Sequence, residues 1–166
     1  MNSNACGECR ACCRILEVQG MPEIYTKPAG ELCQFYAEGV GCSIYPRRPK
    51  PCQVFECLWL RLFPVGRVAA EARPDLSGVM IMQHGNTGVY IAHLPEDNRD
   101  AWQEGEVGKL IDRMLRQGSI FVLMMPGEPG ARVARMRKEG IDVWHEEFME
   151  DGLVALDRRP KSEGGS

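Results

Sequence analysis

All eight cysteines of this 166-residue chain lie within residues 6–57. The first four follow a C-x2-C-x2-C-C pattern, and the full set is Cys6, Cys9, Cys12, Cys13, Cys33, Cys42, Cys52 and Cys57. A chain that used cysteine only as a small apolar side chain would distribute it among all its core segments. The concentration therefore predicts a metal-binding segment in which all eight thiols are candidate ligands.

The cellular environment of these thiols follows from the rest of the sequence. The first residues contain no basic region followed by an apolar stretch, and no apolar run is long enough to span a bilayer. We therefore expect a cytoplasmic protein that makes no membrane contact. Because cytoplasmic thiols are kept reduced, metal ligation is favoured over disulfide formation.

The spacing of the cysteines indicates how they divide among sites. A two-residue spacer lets successive thiolates reach one ion through a turn. The adjacent side chains of Cys12 and Cys13 diverge by about 100° on a helix, so we expect one of them to face a second site or to be a spare. Cys52 and Cys57 are about 140° apart around the helix predicted for residues 51–63. This separation favours either two sites or one ligand from the loop and one from the helix.

Two metal chemistries fit this pattern. In the first, the eight thiolates hold two zinc ions in closed four-thiolate sites. In the second, a [4Fe-4S] cluster is held by three cysteines of the first pattern and one remote cysteine. The ligands would then be Cys6, Cys9 and Cys12, with Cys52 or Cys57 as the fourth. Spacing alone does not choose among zinc, iron and a cluster.

A basic run, Arg47, Arg48 and Lys50, lies among the cysteines. Residues 1–67 carry eight basic and six acidic side chains, whereas residues 68–166 carry twelve and seventeen, within a net charge of -3. Four thiolates around a divalent ion carry a charge of about -2, which nearby cations offset. Charge compensation explains the run better than nucleic-acid binding, which we do not expect.

The second half of the chain has the pattern of an ordinary α+β unit. Short apolar runs bounded by turn residues predict strands, and apolar residues at helical spacing predict helices. The predicted elements are a hairpin over 78–83 and 88–93, a helix over 107–115 ended by Gly118, a strand over 120–125, a helix over 131–139, and strands over 141–144 and 153–156.

The expected architecture is α+β, with an N-terminal cysteine-rich, metal-stapled module packed on a small α/β C-terminal unit. We assign residues 1–67 to the module, 68–157 to the small unit and 158–166 to a disordered tail. The small unit contains no phosphate-binding glycine pattern, no Gly-x-Ser-x-Gly elbow and no His-Glu-x-x-His motif. We therefore expect no catalytic residues.

The cysteine pattern also carries a resemblance to a known family. After the C-x2-C-x2-C-C motif and Cys33, the chain continues as Gly41-Cys42-Ser43-Ile44-Tyr45-Pro46-x-Arg48-Pro49-x-x-Cys52-x-x-Phe55-x-Cys57, and later as Arg73-Pro74-Asp75-Leu76-Ser77-Gly78-Val79. This pattern resembles the bacterial CxxCxxCC cysteine-cluster family, whose members are described as zinc- or iron-chelating proteins. The resemblance covers roughly the first half of the chain and implies metal chelation by the eight cysteines. A related cysteine motif occurs in the longer flagellin lysine methylases.

Three functions are compatible with these expectations. The leading one is a non-catalytic protein that chelates zinc or iron, and whose cysteine cluster either shapes a surface for an unidentified protein partner or stores and delivers metal. The second is an iron-sulfur protein acting in electron transfer or in protein modification or maturation. The third is a redox sensor in which C-x2-C thiols cycle between dithiol and disulfide.

Overall fold

The computed structural model describes residues 7–19, 26–128 and 130–146, which form a mixed α+β fold. This confirms the expected α+β class. Cys6, the strand predicted over 153–156 and the predicted tail at 158–166 lie outside the described residues. Within the described ranges, short helices and a small hairpin precede a five-stranded sheet that carries one longer helix.

The elements have the following bounds. The helices are α1 (Ala11–Ile15), α2 (Lys50–Val54), α3 (Leu58–Leu62), α4 (Pro74–Ser77) and α5 (Gly105–Arg116). The strands are β1 (Tyr36–Ala37), β2 (Gly41–Cys42), β3 (Met80–Gln83), β4 (Val89–His93), β5 (Ile120–Met124), β6 (Ala131–Arg137) and β7 (Gly140–Glu146). Short 3-10 turns lie at Tyr45–Arg47, Phe63–Val65, Ala70–Ala72 and Ala101–Gln103.

The five-stranded sheet has the order β3-β4-β5-β6-β7. Neighbouring strands are antiparallel except β4 and β5, which are parallel and are connected through α5. A parallel pair needs such a crossover, because the chain must return from the end of β4 to the edge of the sheet where β4 began before β5 can run in the same direction. The hairpin of β3 and β4, the helix and strand β5 all confirm the sequence prediction.

The main core lies between α5 and one face of the sheet. The helix contributes an apolar stripe that is almost fully buried, consisting of Val107, Leu110, Ile111, Met114 and Leu115. Phe121 and Leu123 of β5 meet this stripe. Leu58 and Trp59 of α3 belong to the same core, so the cysteine-rich segment is anchored on the sheet unit by its last helix. The domain division at residue 67 stays a prediction.

Two helical predictions are wrong. Residues 131–139 form the whole of strand β6 and the following turn, because β6 pairs with both β5 and β7 and buries Val133 and Ala134. These sheet contacts override the helix propensity of its alanine, arginine and methionine residues. The helix predicted over 51–63 is interrupted, since Phe55 and Cys57 have extended backbone between α2 and α3.

Gly108 of α5 provides a test of the helix packing. A Cβ atom at this position would lie 2.3 Å from the carbonyl carbon of Gln103 and 2.4 Å from its oxygen. Because backbone atoms have to move to admit a methyl group, we expect Gly108→Ala to lower the free energy of unfolding by about 1–3 kcal/mol. Urea unfolding followed by circular dichroism measures this change. The exposed neighbour Lys109→Ala is the control and should change stability little; equal stability of the two variants would contradict the packing.

Candidate metal centre

A cavity of about 300 Å³ lies where the cysteine-rich segment meets strand β3. Seven cysteines line it, namely Cys9, Cys12, Cys13, Cys33, Cys42, Cys52 and Cys57. All seven are free thiols and all are partly buried. Met80 and Met82 of β3 contribute to the wall, as does Leu60 of α3. The cavity therefore brings together every predicted ligand within the described residues.

Backbone hydrogen bonds hold three of these cysteines in neighbouring positions. The backbone N-H of Cys33 donates to the carbonyl of Cys13 on α1 at 2.9 Å. The N-H of Tyr36 donates to the carbonyl of Cys33 at 3.0 Å, and Tyr36 pairs with Cys42 in the hairpin of β1 and β2. Gly39 and Gly41 have positive φ angles at this turn, a conformation that glycine adopts without strain. The hairpin thus delivers Cys42 beside the cysteines of α1.

Cys52 and Cys57 come from two separate short helices. Pro49 precedes α2, and Pro51 occupies its first turn, where a missing backbone N-H costs no helical hydrogen bond. Cys52 lies in this helix. Cys57 is the residue that precedes α3, and its extended backbone separates it from α2. The break between the helices is what lets the two thiols reach different parts of the cavity.

Four of the thiols form one electrostatic group, which we call the Cys13 group: Cys13, Cys33, Cys42 and Cys52. Burial raises the pKa of the Cys52 thiol, and the negative charges of the other three members raise it further. Burial likewise raises the pKa of Cys42, reinforced by Cys13 and Cys33 and opposed by Arg48. These four sulfurs therefore influence one another across the same part of the cavity.

Cys9 and Cys57 form a second set, which we call the Cys9–Cys57 pair. Burial raises the pKa of both thiols, and the charge of Cys57 contributes to the shift at Cys9. Each sulfur also accepts backbone N-H hydrogen bonds, from Ala11 and Asp75 at Cys9, and from Leu60 and Trp59 at Cys57. Such N-H donors stabilise a thiolate, which is the form of cysteine that binds metal.

Cys13 is the most acidic thiol for which a shift is resolved. A hydrogen bond from the Cys12 side chain lowers its pKa to about 7, burial opposes the shift, and Lys27 and Arg48 support it. Cys12 and Cys13 thus interact with each other and both line the cavity, and their division between two sites stays a prediction. A divergence of about 100° on α1 still allows two adjacent side chains to reach one broad cavity.

The cations around the cavity differ in part from those expected. Arg48 lines the cavity, donates from Nε to the Tyr45 carbonyl at 3.0 Å and lies 3.6 Å above the Tyr45 ring centroid. Arg47 and Lys50 are exposed and are not among the lining residues. Lys27, which no sequence motif marked, is buried in the cavity wall.

Arg73 is a further cation that the charge pattern did not single out. Arg73 donates two hydrogen bonds to the Asp75 carboxylate, at 2.6 and 2.8 Å. The hydrogen bonds and the charge of Asp75 raise the pKa of Arg73, and the charge of Cys9 raises it further. Its guanidinium also lies beside Gly7. The Arg73-Pro74-Asp75 segment belongs to the family resemblance, which was the available signal for its importance.

The thiols surround the cavity without converging on one point. Within residues 7–19, 26–128 and 130–146, no group of three or more His, Cys, Asp or Glu side chains is assembled to hold a metal ion. Charge interactions act over longer distances than metal-sulfur bonds, so four thiols can influence one another before they share an ion. The donor set is chemically suited to soft and borderline metals, but these thiol side chains must turn inward to bind one.

The fold and the site define the chain as an α+β protein with a thiol-lined cavity. Comparison with protein-family models, with curated proteins and with solved structures finds no match to it. No helix in the described part of the chain is long and apolar enough to cross a membrane.

The environment of Cys13 predicts its reactivity in the metal-free protein. Because the pKa of Cys13 is about 7 while burial raises the pKa values of Cys9, Cys42, Cys52 and Cys57, Cys13 should be half thiolate near neutral pH. We expect the alkylation rate of Cys13 by iodoacetamide to reach half its maximum near pH 7. Mass spectrometry of alkylated peptides between pH 6 and pH 9 measures the rate at each cysteine. Faster modification of Cys42 or Cys52 at pH 7 would contradict this assignment.

Proposed function

We propose that this protein binds zinc or iron through cysteine thiolates and uses the metal to hold its cysteine-rich segment together. The observation that carries the proposal is that seven cysteines line one cavity, and that they come from α1, β2, α2 and the loops that precede α1, β1 and α3. Thiolates are strong ligands for zinc and for iron, and a cytoplasmic setting would keep them available. Nothing in the proposal requires a catalytic residue.

The first metal site uses the four thiolates of the Cys13 group. Their burial disfavours free thiolates, so a bound cation supplies the positive charge that the buried site otherwise lacks. Lys27 and Arg48 offset the remaining negative charge of a four-thiolate site. A low pKa at Cys13 makes it the thiol that ligates first as pH rises.

The second metal site is built on the Cys9–Cys57 pair. The backbone N-H donors to both sulfurs stabilise thiolates there, and Arg73 supplies a nearby positive charge. Cys6 and Cys12 complete this site because the C-x2-C-x2-C spacing joins them to Cys9. Cys12, hydrogen-bonded to Cys13, is then the residue at which the two sites adjoin.

The metal acts as a staple because the elements that carry the ligands are very short. Helices α1 and α2 each have five residues, and strands β1 and β2 have two. Helices of this length are not stable alone, and a two-strand hairpin is marginal at best. Binding of a structural zinc ion contributes on the order of 10 kcal/mol, enough to set the stability of such a segment.

An iron-sulfur cluster is the second candidate, and the size of the cavity favours it. A volume of about 300 Å³ exceeds what one ion needs and leaves room for a polynuclear centre. Cys6, Cys9 and Cys12 would then be joined by a remote cysteine. Of the two remote candidates, Cys57 is favoured because its charge acts on Cys9, whereas Cys52 interacts with the Cys13 group.

Metal content tests the proposal directly. Protein purified without oxygen should contain stoichiometric zinc or iron by elemental analysis. A colourless protein with about two zinc ions per chain supports the two thiolate sites, whereas a brown protein absorbing at about 400 nm supports the cluster. The proposal fails if neither metal is present at stoichiometric level and neither binds when added under reducing conditions.

Single serine variants test the division of the ligands. We expect Cys52→Ser to lose about one bound ion and Cys57→Ser to lose the other, because the two thiols belong to different groups. Val54→Ser is the matched control, since Val54 is an exposed residue of the same helix as Cys52 and should keep full metal content. Loss of all metal in both cysteine variants would instead indicate one shared centre.

Removal of the metal should loosen one part of the chain selectively. After a chelator removes the metal, we expect the backbone amides of α1 and α2 to exchange hydrogen much faster, because the cysteines of these helices are then no longer held by a bound metal. Strand β5 lies in the middle of the sheet and should stay protected. Hydrogen exchange measured by mass spectrometry compares the two regions. Unchanged exchange in α1 and α2 would show that the metal is not a staple.

A further inference from the structure

Lys27 is the one charged side chain that is fully buried within the described residues. Its ammonium group donates to three backbone carbonyls, those of Arg14 at 3.1 Å, Leu16 at 2.5 Å and Pro28 at 2.9 Å. These contacts use all three hydrogens of the ammonium group. Lys27 is thus fixed in one place in the wall of the thiol cavity.

The backbone of Lys27 is held as firmly as its side chain. Its N-H donates to the Val18 carbonyl at 3.0 Å, and its carbonyl accepts the Val18 N-H at 2.9 Å. Arg14 and Leu16, two of its carbonyl partners, lie at the end of α1. Because both the backbone and the ammonium group of Lys27 are hydrogen-bonded, the position of its charge is fixed relative to Cys12 and Cys13.

The carbonyl groups hydrogen-bond to the ammonium group but do not neutralise it. In the described ranges of the chain, no ion pair joins Lys27 to a carboxylate. Glu31 acts on it at longer range and is exposed to solvent. The strongest charge interactions of Lys27 are with Cys33 and Cys13. Within the described residues, the thiols of the cavity are therefore its main source of counter-charge, which they supply as thiolates.

We propose that Lys27, fixed and buried in the cavity wall, is the built-in counter-charge of the Cys13 group and that it strengthens metal binding there by offsetting the negative charge of the metal-thiolate site. This inference rests on the proposed function. A buried ammonium group without an opposite charge is unfavourable in a protein interior. Metal binding fixes several thiolates in the same cavity and relieves that unfavourable state. The metal-free protein thus retains an imbalance that the bound metal removes.

A purely structural role for Lys27 leads to a different expectation. If Lys27 only held the end of α1 through its hydrogen bonds, replacing it would weaken the fold with and without metal to the same extent. If Lys27 is a counter-charge, its replacement should instead affect the metal-bound and the metal-free protein differently. A neutral side chain would weaken the metal-bound form while sparing the metal-free form from a buried, unbalanced charge.

The experiment compares zinc affinity among lysine variants by competition with a chromophoric chelator under reducing conditions. We expect Lys27→Met and Lys27→Gln to bind zinc at the Cys13 group roughly 10- to 100-fold more weakly, since one nearby positive charge is lost in a partly buried site. Lys27→Arg keeps the charge and should recover much of the affinity. Lys50→Met removes an exposed lysine from the same segment and should stay within roughly twofold of wild type because solvent screens its charge.

A second measurement detects the charge without relying on affinity. In iron-loaded protein, Lys27→Gln should shift the reduction potential of the iron to a more negative value, since a positive charge near the site favours the added electron. A helix-holding role alone would not produce a shift that Lys27→Arg reverses. Lys27→Gln retains hydrogen-bond donors and provides this readout if Lys27→Met does not fold.

The outcomes separate this inference from the proposed function. If wild-type protein binds metal and the neutral Lys27 variants bind it equally well, the inference is overturned and the proposed function stands. Equal loss of affinity in Lys27→Arg and Lys27→Gln, with no difference in potential, shows a structural role and also overturns it. If the wild-type protein binds no metal, both the proposed function and the inference fall.

Discussion

The insertion of Leu58 and Trp59 into the core beside the sheet is the contact on which the thiol cavity depends. The Trp59 indole donates to the Ala69 carbonyl at 3.1 Å and stacks on Phe63 at a centroid distance of 4.5 Å. Burial of two such side chains stabilises the fold by roughly 1.5–3 kcal/mol each. Because Cys57 directly precedes these residues, the same contact fixes one wall of the cavity against strand β3.

The cavity places two opposing physical effects on the same sulfur atoms. Burial favours neutral thiols at Cys9, Cys42, Cys52 and Cys57, as their raised pKa values show. Backbone N-H donors and nearby cations favour the thiolate. A site that is partly dry, rich in sulfur and lined with cations is best balanced when a metal ion joins it. This balance unites the proposed staple with the role assigned to Lys27.

The sequence predicts the fold where one local pattern agrees with the tertiary contacts. Helix α5 is predicted correctly because the burial of its apolar stripe follows the helical period, and β5 because it is a continuous apolar run of strand length. Strand β6 was missed because its residues favour a helix locally, and only pairing with β5 and β7 makes it a strand. The interruption between α2 and α3 was missed because the apolar spacing continues across it.

The candidate site was predictable in its thiols and less so in its cations. Cysteine is rare and its spacing is informative, so all seven cysteines that line the cavity were identified from sequence as candidate ligands. Lys27 is one of many lysines and arginines, and its burial depends on carbonyls at the end of α1 that no sequence pattern reveals. Arg48 was identified as one of the three cations in the basic run, but its exposed neighbours Arg47 and Lys50 belong to the same run, and the sequence does not show which of the three lines the cavity.

The order in which the residues that line the cavity occur along the chain has a consequence for biosynthesis. The thiols of residues 9–57 leave the ribosome before Met80 and Met82, which line the same cavity, and before the core residues of β5 that anchor α3. N-terminal segments emerge first, and contacts between distant residues must wait for the later partner. A nascent chain therefore exposes its cysteines for a period in which their enclosing wall does not yet exist. During that period, the thiols lack the partial burial that the folded cavity gives them.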